Sequence, residues 1–445
     1  MTQRTASLAR RLGLADLALL VMGSVIGSGI FRTPAVVAQR LEVPTLILVA
    51  WIAGGIITLC GAFVLGELAA RRPDGCGAYA YLRDAFGPLV AFAYGWTALL
   101  AALTGGLAAA AVLFAGYFLS LTGLGVAPAL VATGAIVLLA FVNALGVREG
   151  SYVQNGLTLL KFGALAVLVV ATFSHPAAPL DARGPALGLQ TAAAFGVAMI
   201  PVLFTYNGAI VANFMATESK DVARTLPRGL WLGILGITAL YVLVNAGCLR
   251  ALGLTALAQS TVPISAALQA TVGPIGARLA SLAVVLTTLG FISNRMLTVP
   301  RLYHAMAQDG LFFRAVGRID PRTRVPVVAI GLQAVVAVAI AFWGGYEHIL
   351  NYVVATSYAF SGLLAFALFR IRARDAAGSS AQAGGFRAPW HPVSTGVFMI
   401  ASWGVAIATC VTYPRDGLAG VAILASAIPA YLFWARRRPP NWSGA

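Results

Sequence analysis

Hydrophobic residues run along this chain in blocks of about 20, the length a helix needs to cross a bilayer, separated by short polar interruptions. About twelve such blocks are predicted, near 14–38, 44–69, 88–119, 126–146, 152–173, 190–216, 228–249, 277–305, 325–344, 348–370, 393–413 and 417–435. An even number puts both ends of the chain on one side of the membrane. The interruptions at 70–87, 174–189, 217–227, 250–276, 306–324 and 371–392 are too short for a separate soluble domain. Ala376 to Gly385 is small and polar, a flexible linker before the last two spans. Leu254 to Gly276, with Pro263 and Pro274, reads as short helices capping a vestibule.

Two blocks break their own pattern. The first contains Val21-Met22-Gly23-Ser24-Val25-Ile26-Gly27-Ser28-Gly29-Ile30-Phe31. Each glycine weakens a helix by up to about 1 kcal/mol relative to alanine, so this clustering predicts an opened backbone. At the bilayer midplane such a break exposes N–H and C=O groups that bind the charged ends of a substrate. The alternative is that the glycines only let helices approach closely. The sixth block is interrupted at Pro201-Val202-Leu203-Phe204-Thr205-Tyr206-Asn207-Gly208-Ala209, where Asn-Gly is a turn signal and predicts an unwound joint. Five spans separate the two breaks, so they cross in opposite directions, as an inverted repeat requires.

Composition agrees with a polytopic membrane protein: 60% of the 445 residues are hydrophobic and 10% charged, with mean hydropathy +0.87. The net charge of +16 does not point to nucleic acid, because the arginines are strung singly between apolar runs. With the N-terminus inside, roughly 22 Lys and Arg lie on the cytoplasmic side against roughly 5 outside, so the charge serves orientation and anionic lipid. The basic tail Met1 to Gly13 has no small-residue cleavage site and is not read as a signal peptide. Cys60, Cys76, Cys248 and Cys410 are scattered, the four histidines form no ligand pattern, and no HExxH, GxSxG or Walker sequence occurs. Neither metal nor cofactor is expected, and nothing supports an enzyme.

These blocks carry a resemblance. GSVIGSGIFRTP in the first span resembles the GxGIF signature of the amino acid–polyamine–organocation family. Gly66-Glu67-Leu68 followed by Pro73, Gly75, Gly77, Tyr79 and Tyr81 is similar to its second-span loop. Phe204-Thr205-Tyr206-Asn207-Gly208 with Asn213, Phe214, Glu218 and Pro227 resembles its sixth span, and Arg301 to Gly310 the close of its eighth. The closest pattern is that of bacterial L-type amino acid transporter-like exchangers. The resemblance implies an all-α polytopic protein with a LeuT-type five-plus-five inverted repeat, helices 1 and 6 unwound. Residues 14–173 would form the first repeat, 190–370 the second and 393–435 two peripheral helices, with cytoplasmic tails at 1–13 and 436–445. It also implies an amine-bearing substrate, usually an α-amino acid. Two departures are Asn207, where related exchangers often have Gly, and Cys76 between the second-span glycines.

The residues support a matching chemistry. An α-carboxylate needs N–H donors, available at Gly27, Ser28 and Gly29, and the ammonium needs carbonyls, available near Val25, Ile26, Phe204 and Asn207. Thr205 and Gly208 complete the candidate site. Phe204 matches the family's aromatic outer gate, although it could equally be one ordinary Phe among 22. Lys161 is one of only two lysines, and it stands about ten residues into span 5, roughly 15 Å of helix from its end. Snorkelling falls short of that distance, so the amine is expected to be buried and able to exchange a proton in a working cycle. The resemblance places it where sodium-coupled relatives hold a cation, which implies sodium independence; a purely structural tie to span 1 is the alternative. Arg295 reads two ways. Facing the site it favours an acidic side chain; facing the cytoplasmic vestibule it says nothing of substrate, and Ala98-Leu99-Leu100 as an apolar wall favours neutral ones. Thr287, Thr288 and Ser293 offer hydroxyls. Glu67, Glu218 and Asp309 read as solvated inner-gate salt links of little strength.

The sequence reading is therefore secondary active transport of amino acids across the cell inner (cytoplasmic) membrane by alternating access. Both termini are cytoplasmic, with exchange or proton coupling, and the protein is a monomer or weak oligomer in the lipid bilayer. A transporter-like sensor is the alternative; a channel would want a ring of like charges.

Overall fold

The computed structural model describes residues 14–72, 77–145, 150–179, 188–208, 225–376 and 386–437. The chain begins as helix α1 (Leu14–Val25), opens, winds a 3-10 turn at Gly29–Phe31 and resumes as α2 (Thr33–Arg40). Then follow α3 (Pro44–Arg71), α4 (Ala78–Phe86), α5 (Pro88–Thr97), a π-helical turn at Ala98–Ala102 and α6 (Leu103–Thr122). After α7 (Pro128–Ala144), α8 (Gly150–Ser174) and α9 (Leu189–Tyr206) comes α10 (Thr225–Gln259), which kinks at Gly253, φ 74°. The remaining helices are α11 (Pro263–Val272), α12 (Pro274–Thr298), α13 (Pro300–Gln308), α14 (Val327–Trp343), α15 (Tyr346–Ala376), α16 (Val393–Thr412) and α17 (Pro414–Ala435). Proline opens seven of these helices, at a position whose N–H would have no intrahelical partner in any case.

No strand occurs among the described residues. Seven helical stretches are long and apolar enough to cross a membrane, and four shorter apolar helices accompany them. This is an all-helical, multi-pass membrane protein. Large apolar side chains face outward, as at Leu159 (74% exposed) and Ile275 (71%), where a soluble protein would place polar ones. The last two helices lie at the edge: 28% and 11% of their apolar windows are buried, against 50–72% in the other five long ones. Inside, α1 packs on α10, α6 on α12, and α9 on α2, α3 and α15, so the interrupted first segment meets the end of α9 in the middle of the bundle.

The region read as a capping vestibule is the end of α10 with α11. It lies over α2, where Gln39 donates to the Ala258 carbonyl at 2.7 Å and Arg32 to that of Ser260. At the opposite end of α3, Glu67 is fully buried, not solvated as its sequence neighbourhood suggests. It accepts from Arg71 (2.8 Å), Arg372 (2.6 Å) and the Ala388 N–H (2.7 Å), tying α3 to α15 and to the strand of chain before α16. Arg71 also pairs with Asp375, and Asp309 takes Arg83 and the Tyr79 hydroxyl, both at 2.8 Å. Glu218, Asn213, Phe214, Cys76 and the linker residues 377–385 lie outside the described residues.

Removing Glu67 leaves two arginines without their shared anion. Glu67→Ala is expected to destabilise the protein toward the lower end of about 3–5 kcal/mol, because Arg71 and Arg372 keep 20% and 24% of their side-chain surface exposed. A thermal melt of the detergent-solubilised protein, followed by loss of the monodisperse peak, reads this directly; an unchanged midpoint would show that the network carries no stability.

Candidate substrate cavity

The break in the first helix is held open by three donors from other helices. Tyr241 on α10 donates its hydroxyl to the Val25 carbonyl at 3.1 Å, Lys161 on α8 its ammonium to that of Ile26 at 3.1 Å, and Tyr117 on α6 to that of Phe31 at 2.8 Å. Within the break the Gly27 N–H turns back to the Val25 carbonyl at 2.7 Å. Unmatched carbonyls at this depth would each cost free energy, and these partners remove that cost. Three N–H groups, of Ser28, Gly29 and Ile30, have no backbone acceptor among the described residues.

Gly29 is pressed against α9. A Cβ there would lie 2.7 Å from the Thr205 Oγ1 and 2.9 Å from its Cα. Gly27 is close to Phe291 in the same way, at 3.2 Å. Thr205 in turn donates to Thr33 Oγ1 at 2.9 Å, locking α9 to the start of α2. On α9 the helix ends at Tyr206, and Asn207 and Gly208 tighten into a 3-10 turn, with the Asn207 N–H bonded to the Phe204 carbonyl.

Between the first break and the end of α9 lies a cavity in which the space open to the centre of a water molecule is about 40 Å³, room for about three waters. Val25, Gly27, Ser28 and Gly29 border it from the first break, and Phe204, Thr205, Asn207 and Gly208 from the end of α9. Arg295 borders it from α12. Ile26 is not on the wall; its carbonyl faces Lys161. Ala102, Leu103, Gly106, Phe291 and Val353 complete the lining.

Three sequence expectations shift. The wall from the third span is Ala102, Leu103 and Gly106, about one turn beyond Ala98-Leu99-Leu100, because those residues form the π-helical turn, whose extra residue rotates the following face. The Thr287 and Thr288 hydroxyls are not offered to a ligand: each donates to carbonyls one turn back in its own helix. Ser293 pairs with Asn143 across to α7. Among the carbonyls, that of Val25 already accepts from both Tyr241 and Gly27, filling its two lone pairs.

Lys161 is 3% exposed, and among the described residues its single hydrogen bond is to Ile26. Phe204 closes one side of the cavity, edge-on to Tyr346 of α15 with ring centroids 6.2 Å apart. Beyond that pair, Arg32 reaches Glu347 at 3.5 Å, joining the first interrupted segment to α15. Tyr346 and Glu347 have no sequence signal beyond their place at the head of a span. Tyr241 and Tyr117 could not be told from ordinary core tyrosines.

A profile of the amino acid permease family matches residues 12–432. The chain is 25% identical over 438 residues to the serine/threonine exchanger SteT of Bacillus subtilis, covering 97% of this chain and 98% of that one. It is 28% identical over 384 residues to mouse b(0,+)-type amino acid transporter 1, covering 83% and 77%. It is 27% identical over 377 residues to the human large neutral amino acids transporter small subunit 2, covering 80% and 69%. The chain belongs to the amino acid permease family of the amino acid–polyamine–organocation group, and is a transporter and not an enzyme.

Proposed function

We propose that the protein carries α-amino acids across the cytoplasmic membrane by sodium-independent exchange, through alternating access to the cavity between the first break and the end of α9. The observation that carries this is the cavity that the first break shares with the end of α9, bordered by Ser28 and Gly29, whose N–H groups have no backbone acceptor among the described residues and can take a carboxylate. The Asn207 side chain is what borders the cavity for an ammonium, since the Val25 carbonyl is taken by Tyr241 and Gly27 and the Ile26 carbonyl by Lys161. Phe204 on Tyr346, with Arg32 on Glu347 behind, is the gate on one side; the Glu67 and Asp309 networks are the gate on the other.

The proposed architecture counts twelve crossings: the seven long helices, the four shorter ones and the interrupted first segment. They form a five-plus-five inverted repeat with α16 and α17 peripheral, and both termini are cytoplasmic by arginine placement. Sodium independence rests on Lys161, whose ammonium occupies the Ile26 carbonyl that a cation would use. Exchange is preferred to proton symport because a relative covering nearly the whole chain is named as an exchanger.

The test is uptake of labelled amino acids into liposomes holding the purified protein. The expected result is uptake that rises with unlabelled amino acid inside and is unchanged when sodium is replaced by choline. A pH gradient that drove accumulation without internal substrate would replace exchange by proton symport. If no amino acid were taken up while one still raised the melting temperature, the protein would be a sensor.

A further inference from the structure

Among the described residues Arg295 is the one charged side chain that lines the cavity, and none of those lining it is acidic. The guanidinium is deep in the protein and keeps partial exposure where it borders the cavity. Among the described residues it forms no hydrogen bond and no ion pair. Its neighbours are the Phe291 ring, 5.1 Å from the guanidinium carbon to the centroid, and the phenols of Tyr94 and Tyr303, near enough to feel its charge. Phe291 is itself wedged against Gly27, so the cation is held beside the first break.

A part-buried arginine with no anion among the described residues is costly, since the ring and the phenols do not replace a carboxylate. Arginine also stays protonated where lysine would not, and its planar fork fits a carboxylate through two parallel N–H donors. The substrate's α-carboxylate already has the N–H groups of Ser28 and Gly29 in the proposed binding mode, which leaves Arg295 free for a second one. The remaining wall between these points, Ala102, Leu103, Gly106 and Val353, offers only small or aliphatic contacts suited to a short methylene chain.

We infer that the substrate is an α-amino acid with a carboxylate side chain, of aspartate or glutamate size, and that Arg295 selects it by pairing with that side chain. This rests on the transport reading above. It sets the chain apart from what its relatives' names state, and it follows from the unpaired charge.

The test uses isosteric pairs in proteoliposomes: labelled L-glutamate against L-glutamine, and L-aspartate against L-asparagine, competing for uptake by the wild-type protein, Arg295→Gln and Arg295→Lys. The wild type is expected to favour each acid over its amide. Arg295→Gln is expected to lower the acid-to-amide ratio by about tenfold to a hundredfold, the loss of a hydrogen-bonded charge pair. Arg295→Lys should keep part of the ratio, because it keeps the charge and loses only the fork. A wild type that takes up amides and serine but not acids would overturn the inference and leave the transport reading standing. So would a ratio unmoved by Arg295→Gln, which would mean that Arg295 serves the shared α-carboxylate or the fold alone. If Arg295→Gln does not yield monodisperse protein, the wild-type ratio and Arg295→Lys decide. Absence of uptake for every amino acid would overturn both readings.

Discussion

Gly29→Ala is expected to lower uptake by about tenfold or more. The added methyl would stand 2.7 Å from Thr205 Oγ1 and 2.9 Å from its Cα, and the second of these is backbone that cannot rotate away. The turn at Gly29–Phe31 and helix α9 must then separate by several tenths of an ångström. That displaces the Ser28 and Gly29 N–H groups from the opposite wall at Phe204 and Thr205; misplacement by about 1 Å costs about a hundredfold, so several tenths cost about tenfold. The comparison is Gly116→Ala on α6, where nothing lies within 4 Å of the new carbon; its uptake should stay within about twofold of wild type, the usual tolerance of an unconstrained site. Both variants are compared at equal reconstituted amounts. Normal uptake by Gly29→Ala would mean that the first break and α9 do not need this close approach.

Lys161→Ala is expected to lower uptake by about tenfold to a hundredfold. The ammonium is the donor that matches the Ile26 carbonyl at 3.1 Å in the middle of the open stretch. Without it a buried carbonyl loses its partner and the first break loses one of its three braces. Lys161→Gln separates the brace from proton exchange, because the amide can still donate to Ile26 but has no proton to release. If Lys161 only braces, Lys161→Gln restores uptake with the wild-type response to a pH gradient. If it also moves a proton, uptake returns and the gradient response disappears. Lys161→Ala with normal uptake at every pH and unchanged gradient dependence would remove Lys161 from the mechanism.

Much of the site was legible because the features that make it are unusual for a membrane helix. Three glycines and two serines in eleven residues, a Pro and an Asn-Gly pair inside one apolar block, and a lysine ten residues from a helix end each oppose what a bilayer favours, so each stands out. The residues around them were not legible, because they look ordinary. Tyr241 and Tyr117 are two of 13 tyrosines, and only their reach to Val25 and Phe31 makes them braces. Phe291 and Val353 are apolar residues in apolar helices, as most of their neighbours are. The third-span wall could not be assigned to its residues because a π-helical turn adds a residue without leaving a composition signal.

Block length and spacing by themselves determined the membrane class, the rough boundaries of the helices and the place where the first of them opens, because hydropathy and helix-breaking residues act locally; the residues after Gly208, where the sixth block is expected to unwind, lie outside the described ones. The tertiary structure decided which polar groups remain available. It showed that Glu67 is buried, that the Thr287 and Thr288 hydroxyls and the Val25 carbonyl are taken, and that Arg295 borders the cavity instead of facing away from it. A hydrogen bond or an ion pair depends on a few tenths of an ångström between helices far apart in the chain, and no pattern along a single helix carries that distance.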